Sequence, residues 1–280
     1  QDLEMADIQT FFDEKIRLPS PPTVALKILK AVRRDESSFD DLAEIIRVDP
    51  ALTAQVLKLA NSSLYGLTKK VDSISQATAL IGSQTLKNIA LSFVFVNKYN
   101  GISDGLFDIE LFWRRAVTAA VATQVLSEYT AGANKDIFVS GLLQDIGVLL
   151  LFISDCDSYS ELLDNKRVSG TSIEKAEKEM FGFDHAEVGC FLLGHWDLPN
   201  TILGPIRYHH IPMNGGQKEY TDSALLLFIS DKIAAIYHGS KSSTKSIEVQ
   251  SALQEHYGIS SEKSLQIIDE IGSKAQEVLE

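Results

Sequence analysis

Apolar residues recur at helical spacing along almost the whole chain, and this periodicity limits the fold more than any other feature. Residues 4–16 carry apolar side chains at three- and four-residue intervals, and the same pattern returns in further windows up to residue 279. The one strand-like run, residues 92–96, lies inside a helical window. The pattern predicts an all-α fold, a multi-helix bundle with an additional N-terminal helical subdomain.

The charge is unevenly divided between two parts of the chain. Residues 1–100 contain 12 basic and 12 acidic side chains, whereas residues 101–280 contain 14 and 26, so the net charge of −12 arises in the second part. Positions 100–105 are rich in turn-forming residues. These observations predict two units, residues 1–100 and residues 101–280. General nucleic-acid binding is not expected, because an acidic surface repels phosphate backbones.

Three features bear on the compartment of the protein. No uninterrupted apolar run reaches the roughly 18 residues of a membrane helix. The N-terminal residues lack the basic start and apolar stretch of a signal peptide. Two cysteines, Cys156 and Cys190, cannot form a disulfide framework. We therefore expect a cytoplasmic protein without membrane insertion.

Side chains that can bind metals gather in the acidic second part. Asp145 falls within an apolar helix predicted over residues 139–150, and Asp231 has apolar residues on both sides. A carboxylate in such surroundings needs a partner, because an unpaired buried charge is costly. The histidines nearby are His185, His195, His209 and His210. Carboxylates and imidazoles together can form a divalent metal site, and they can equally be hydrogen-bonded structural residues. Both interpretations stay open.

A series of short sequence blocks lies between about residues 15 and 240. The blocks are 18–22 (LPSPP), 45–62 (IIRVDPALTAQVLKLANS), 65–66 (YG), 74–91, 112–115 (FWRR), 141–147 (GLLQDIG), 185–189 (HAEVG), 196–199 (WDLP), 209–210 (HH) and 230–231 (SD). These blocks resemble the HDOD domain family, whose members are degenerate relatives of the HD and HD-GYP metal-dependent phosphohydrolases. Together they are specific, although each alone is not. The resemblance implies an HD-like helical bundle and a bacterial signal-transduction module.

The resemblance also implies that the catalytic metal site is degenerate. In HD enzymes a first histidine, a His-Asp pair and a late aspartate hold a metal that activates water. By motif, Arg115 stands at the first histidine and Gln144 at the histidine of the pair, while Asp145 and Asp231 are retained. A guanidinium cannot bind a cation. We therefore predict that Arg115 forms an ion pair with Asp145 or Asp231.

By the resemblance, His185, His209 and His210 match extra ligands of the two-metal branch of these enzymes, whereas His195 has no motif role and is expected to be a packing residue. The Gly-Tyr-Pro signature of that branch is absent, since residues 211–216 read IPMNGG. We expect no catalytic residue and no cofactor. The alternative is a divalent metal (iron, manganese, zinc or nickel) bound by His185, His209, His210, Asp145 and Asp231.

The loop Asn61–Gly66 is a second candidate region. Asparagine and serine side chains commonly cap helix ends, and a glycine can end a helix with a positive φ. The resemblance adds a further interpretation, a partner or ligand surface at Asn61, Ser62, Tyr65 and Gly66. The amphipathic C-terminal segment, residues 260–280, is predicted to dock on the core or on a partner.

Three functions stay open at this point, and no oligomeric state is predicted. The first is a non-catalytic regulatory module whose output comes from a signalling partner protein, because the chain shows no output domain of its own. The second is a metal-dependent phosphohydrolase with an altered metal site. The third is a nucleic-acid-binding regulator, which needs basic residues of the first part to share a face. Those residues are Lys27, Lys30, Arg33, Arg34 and Arg47.

Overall fold

The computed structural model describes residues 8–13, 24, 27–28, 39–99, 107–130, 134, 136–213, 218–239 and 243–280, and all regular structure in them is helical. After a helical segment at residues 8–13, the helices are α1 (Phe39–Arg47), α2 (Pro50–Ala60), α3 (Ile74–Ile81), α4 (Ser83–Tyr99), α5 (Ile109–Ser127), α6 (Ile137–Leu143), α7 (Ile146–Ser154), α8 (Cys156–Ser169), α9 (Ile173–Phe181), α10 (His185–His195), α11 (Asn200–Tyr208), a 3₁₀ turn (Lys218–Tyr220), α12 (Thr221–His238), α13 (Ser243–Tyr257) and α14 (Ser261–Leu279). The predicted all-α class is confirmed.

Helix starts follow local chemistry that is visible in the sequence. The Asp49 side chain accepts a hydrogen bond from the Leu52 backbone N–H, and Pro50 occupies the first turn of α2, where no N–H is needed. Asp184 begins α10 with a reciprocal capping box to Glu187. The Asp184 cap places the next residue, His185, at the buried start of α10.

Helix α5 is the centre of the bundle. It packs against α6, α12 and α14, and most of its length is buried. Its inner positions are rich in alanine and threonine, which allow the neighbouring helices to approach closely. The surrounding core consists largely of Leu, Ile and Phe side chains, and each fully buried one stabilises the fold by about 1.5–3 kcal/mol.

The sequence pattern merges α6 and α7 into one predicted helix, and the structure divides them. Gln144 and Asp145 form a turn, so the expectation that Asp145 lies inside a continuous helix is wrong. Asp145 is the N-cap residue of α7, yet its side chain caps no backbone N–H. Its carboxylate instead lies 3.6 Å from Nε2 of His185 and of His209. Periodicity could not show this break, because the residues on both sides are apolar.

The same segment is long and apolar enough to cross a membrane by composition alone. Ile137–Ser154 has a mean hydropathy of 2.1 over 18 residues, and 83% of this window is buried inside the protein. The turn divides it into helices of seven and nine residues. Helix α6 packs on α5 and helix α7 packs on α10, so the segment belongs to the core of the bundle.

The N-terminal segment packs on the second predicted unit. The ring centroid of Phe11 lies 5.8 Å from that of Phe181 and 5.4 Å from that of Phe183. Phe12 and Phe191 are stacked, with centroids 6.4 Å apart. The start of the chain therefore crosses from the first predicted unit to α9 and α10.

The C-terminal helix makes the reverse crossing. Helix α14 packs on α5, which agrees with the predicted docking on the core. It also reaches the first predicted unit, where Ser63 donates its backbone N–H to the Glu277 carboxylate at 3.0 Å. The predicted boundary at residues 100–105 lies outside the described residues. The division into two units stays a prediction, and the described contacts join both parts.

Candidate functional site

The candidate site is a cleft of about 640 Å³ between α5, α7, α12 and the segment from α8 to α10. It brings together residues that are more than 100 positions apart in the chain. Those predicted from the sequence that line it are Arg115, Asp145, His185, His210 and Asp231. Two further predicted residues, Gln144 and His209, are each only 1% exposed.

Arg115 forms the ion pair that was predicted for it. Its Nη2 donates to Oδ1 of Asp231 at 3.1 Å. The two side chains are 39% and 31% exposed, so Asp231 is less buried than its apolar sequence neighbours suggest. The guanidinium is also among the positive charges that act on Asp145. The positive charge of Arg115 therefore acts on both Asp231 and Asp145, the two aspartates that the resemblance assigns to a metal ion.

Three histidines converge beside this pair. Nitrogen atoms of His185, His209 and His210 lie within 4.8 Å of one another, and the Nε2 atoms of His185 and His210 are 2.7 Å apart. His209 donates from Nδ1 to the Ile206 carbonyl oxygen at 2.6 Å. The buried Nε2 of His209 has no hydrogen-bond partner among the described residues. With Asp145 beside them, these donors fit a divalent cation.

A buried glutamate that the sequence reasoning missed anchors the cluster. Glu177 on α9 is 0% exposed, and its Oε2 accepts hydrogen bonds from the backbone N–H of His185 at 2.8 Å and from Nδ1 at 2.6 Å. Tyr159 donates to Oε1 at 2.5 Å. A signal did exist, since Glu177 stands midway between Ile173 and Phe181 on the apolar face of α9. A carboxylate on such a face indicates a buried partner.

The charges of the cluster compensate one another. Burial lowers the pKa of His185, but Glu177 and then Asp145 raise it to about 10. Burial raises the pKa of Asp145, but the contact with His209 at 3.6 Å and the charges of His185, His209 and Arg115 lower it to about 2. Burial and neighbouring positive charges lower the pKa of His210. At neutral pH, His185 is therefore a cation that donates its Nε2–H to a neutral His210.

These pKa shifts predict a stability that depends on pH. The contribution of His185 is fully present below its ordinary pKa of 6.5 and is lost as pH rises toward about 10. The contribution of Asp145 is present above its ordinary pKa of 3.8 and is lost as pH falls toward about 2. The free energy of unfolding lost through His185 should be a few kcal/mol, since one pKa unit corresponds to about 1.4 kcal/mol. Urea unfolding across both ranges measures it, and a flat profile above 6.5 would contradict the assignment.

The loop Asn61–Gly66 uses much of its polar chemistry internally. The Asn61 side-chain amide donates to the Val71 carbonyl at 2.8 Å and accepts from the Val71 N–H at 2.7 Å. The Ser62 hydroxyl donates to a backbone carbonyl of α2, and Gly66 has a φ of 58°. Burial raises the pKa of Tyr65. A partner or ligand surface at these residues stays a prediction.

The basic residues needed for nucleic-acid binding are described only in part. Lys27 is exposed, and Arg47 donates from Nη2 to the Ser75 hydroxyl at 2.7 Å. Lys30, Arg33 and Arg34 lie outside the described residues. A shared basic face therefore stays a prediction.

Comparison with known proteins gives one family. The HDOD domain model matches residues 18–212. An uncharacterised protein of Treponema pallidum (strain Nichols) is 25% identical over 195 residues, which are 69% of this chain and 37% of that protein. The chain thus spans little more than a third of the length of this curated relative.

Solved structures share the fold. An HDOD domain protein of unknown function from Geobacter sulfurreducens has a TM-score of 0.77 at 22% identity, covering 99% of this chain and 96% of that one. A proposed phosphohydrolase from Shewanella amazonensis SB2B has a TM-score of 0.78 at 23% identity, covering 98% and 97%. A proposed signal transduction protein from Marinobacter aquaeolei VT8 has a TM-score of 0.70 at 20% identity, covering 99% and 64%. With a family match over most of its length and this shared fold, the chain belongs to the HDOD family.

Proposed function

We propose that this chain is a non-catalytic bacterial signal-transduction module that acts in the cytoplasm by binding a partner protein or a ligand. The observation that carries the proposal is the Arg115–Asp231 ion pair, at 3.1 Å. Arginine stays protonated and cannot ligate a cation, and its charge repels a divalent ion from the same position. The net charge of −12 argues against the nucleic-acid alternative.

Gln144 supports the same proposal. It replaces an imidazole that the resemblance assigns to the metal, and an amide oxygen is a poorer ligand for transition metals than an imidazole. Its side chain is 1% exposed, and both amide atoms lack a hydrogen-bond partner among the described residues. An unpaired buried polar group costs about 1–3 kcal/mol. A water or ligand group that reached this amide would therefore stabilise the protein.

Restoring the two imidazoles tests the proposal. We expect the Arg115→His/Gln144→His variant to gain a bound metal, and the wild type, purified without chelator, to contain far less than one ion per chain. Elemental mass spectrometry measures both proteins. Hydrolysis of bis(4-nitrophenyl) phosphate with added Mn²⁺ gives the activity, which should be absent in the wild type.

A third variant controls for adventitious metal. Adding Asp231→Asn to the double variant removes the late carboxylate and should abolish the gained metal. Stoichiometric metal in the wild type, together with hydrolysis that a chelator stops, would overturn the non-catalytic proposal.

The histidine cluster favours a second candidate function, a metal-dependent phosphohydrolase with an altered site. His185, His209, His210 and Asp145 would hold the ion, and Glu177 would orient the first of these rings through its Nδ1. A bound divalent ion polarises phosphoryl oxygens and activates water. The Nε2 proton of His185 must first be released, because a nitrogen that carries a proton cannot bind an ion, whereas Nδ1 can keep the proton that Glu177 accepts.

His209→Ala distinguishes the two functions. If the cluster holds an ion, this variant should lose metal and hydrolytic activity together. Under the non-catalytic proposal, its metal content should match the background of the wild type. His195→Ala is the matched control, because His195 is exposed and does not line the cleft.

A further inference from the structure

The cleft is larger than its histidine cluster requires. A volume of about 640 Å³ falls in the range of small-molecule sites, about 300–1,000 Å³. A single ion occupies a small part of that space. The remaining lining belongs to no metal motif, and it includes an apolar group and a cationic group.

The apolar group comes mainly from the start of α5 and the residue before its cap. The rings of Phe107 and Phe112 are 5.7 Å apart, and Phe107 stacks on Phe152 at 4.7 Å with an interplanar angle of 24°. Leu111 also lines the cleft and is 37% exposed. Packed rings hold this surface in place while leaving part of it open to solvent. Apolar side chains of this kind in a cavity are typical of ligand sites.

The cationic group comes from the end of α8. Lys166 lines the cleft and makes no ion pair with a carboxylate of the described residues. Arg167 is 3.8 Å from Asp164, and both side chains are about 80% exposed (83% and 79%), so this pair contributes little. Helix α9 begins beside them, and Ser172 provides no side-chain cap for its first N–H groups.

The carboxylates that line the same cleft are already engaged. Asp108 accepts a hydrogen bond from the Leu111 N–H at 2.8 Å as the cap of α5. Asp231 accepts one from Arg115 at 3.1 Å, and Asp145 faces two histidines at 3.6 Å. None of these three carboxylates pairs with Lys166 or Arg167 among the described residues, so at the end of α8 only the weak, exposed pair of Arg167 with Asp164 offsets the positive charge.

We propose that this cleft binds a small amphipathic organic anion. The ligand carries its anionic group, a carboxylate, sulfonate or phosphate, toward Lys166 and Arg167, and it lays a flat apolar ring against Phe107, Leu111 and Phe112. The inference rests on the proposed function, for which it names the class of ligand. It requires neither a metal nor a bond-breaking step.

The fluorescent probe 1-anilinonaphthalene-8-sulfonate has both parts of the proposed ligand. Titrated into the full chain, it should bind at one saturable site. Lys166→Ala/Arg167→Ala should weaken binding about tenfold or more, equivalent to about 1.4 kcal/mol. Leu111→Ser should also weaken probe binding, because it replaces an apolar side chain of the cleft with a polar one. The matched control, Lys69→Ala/Lys70→Ala, removes two adjacent exposed lysines outside the cleft and should leave binding unchanged.

Competition identifies the anionic group. Phenyl phosphate and benzoate should displace the probe, and the stronger competitor shows which head group the cleft prefers. Displacement by neither, or equal probe binding by the wild type and the Lys166→Ala/Arg167→Ala variant, would overturn the inference. Such a failure would leave the proposed function standing, because metal content and hydrolysis test that function independently.

Discussion

Replacing Glu177 with alanine is expected to lower the free energy of unfolding by about 3–5 kcal/mol, as does removing one partner of a buried ion pair. The carboxylate is fully buried and accepts hydrogen bonds from the backbone and ring of His185 and from Tyr159. Without it, the protonated ring of His185 loses its main counter-charge and the tyrosine hydroxyl loses its acceptor. Urea unfolding at neutral pH, followed by circular dichroism, measures the change.

Two further variants make that result specific. Glu179→Ala removes an exposed glutamate of the same helix and should change the free energy of unfolding by less than about 0.5 kcal/mol. Glu177→Gln keeps the shape but removes the charge, so the pKa of His185 should fall from about 10 toward 6.5. NMR titration reads this pKa directly. Equal destabilisation by Glu177→Ala and Glu179→Ala would show that the role assigned to Glu177 is wrong.

Gly147→Ala is expected to lower the free energy of unfolding by about 3 kcal/mol, at the upper end of the usual range for overpacking. A Cβ at this position would lie 2.0 Å from the His185 carbonyl oxygen and 2.9 Å from the Gly189 backbone nitrogen. Both atoms belong to the backbone of α10 and cannot rotate away. The two helices must therefore separate, which moves Asp145 away from the histidines. Thermal and urea unfolding measure the loss.

Gly194→Ala is the matched control on the neighbouring helix. Its Cβ would lie 3.6 Å from Cδ1 of Leu203, an ordinary contact. Replacing a glycine within a helix by alanine typically stabilises by about 0.5–1 kcal/mol. If Gly147→Ala were as stable as Gly194→Ala, the close approach of α7 and α10 would not be essential to the fold.

Both predictions concern how α7, α9 and α10 hold the histidine cluster. The close approach at Gly147 sets the separation of α7 and α10, and therefore the 3.6 Å distance between Asp145 and His185. Glu177 then fixes the orientation of the His185 ring from the other side, through Nδ1. The cluster depends on these supports as much as on its histidines.

The candidate site could be predicted from the sequence where a motif identified a residue. Arg115, Asp145 and Asp231 were assigned to one site by their motif positions, and the structure places all three at one cleft. Glu177 belonged to no motif, so only its place on an apolar helix face could have indicated it. Lys166 and Arg167 were missed because charged residues near a helix end are normally solvent-exposed, and nothing local shows that a cleft opens beside them.

By itself, the sequence determined the helical class, because a repeat of three to four residues is a local property that any window reveals. Through the family resemblance it also predicted that Arg115 and Gln144 stand at two imidazole positions of the metal-binding relatives. Only the tertiary structure decided that the apolar stretch breaks at Asp145, that Arg115 pairs with Asp231 and that Glu177 supports His185. Each of these depends on groups from separate helices meeting in space. Helical periodicity predicts which face of a helix is buried, but it does not predict which helix lies against that face.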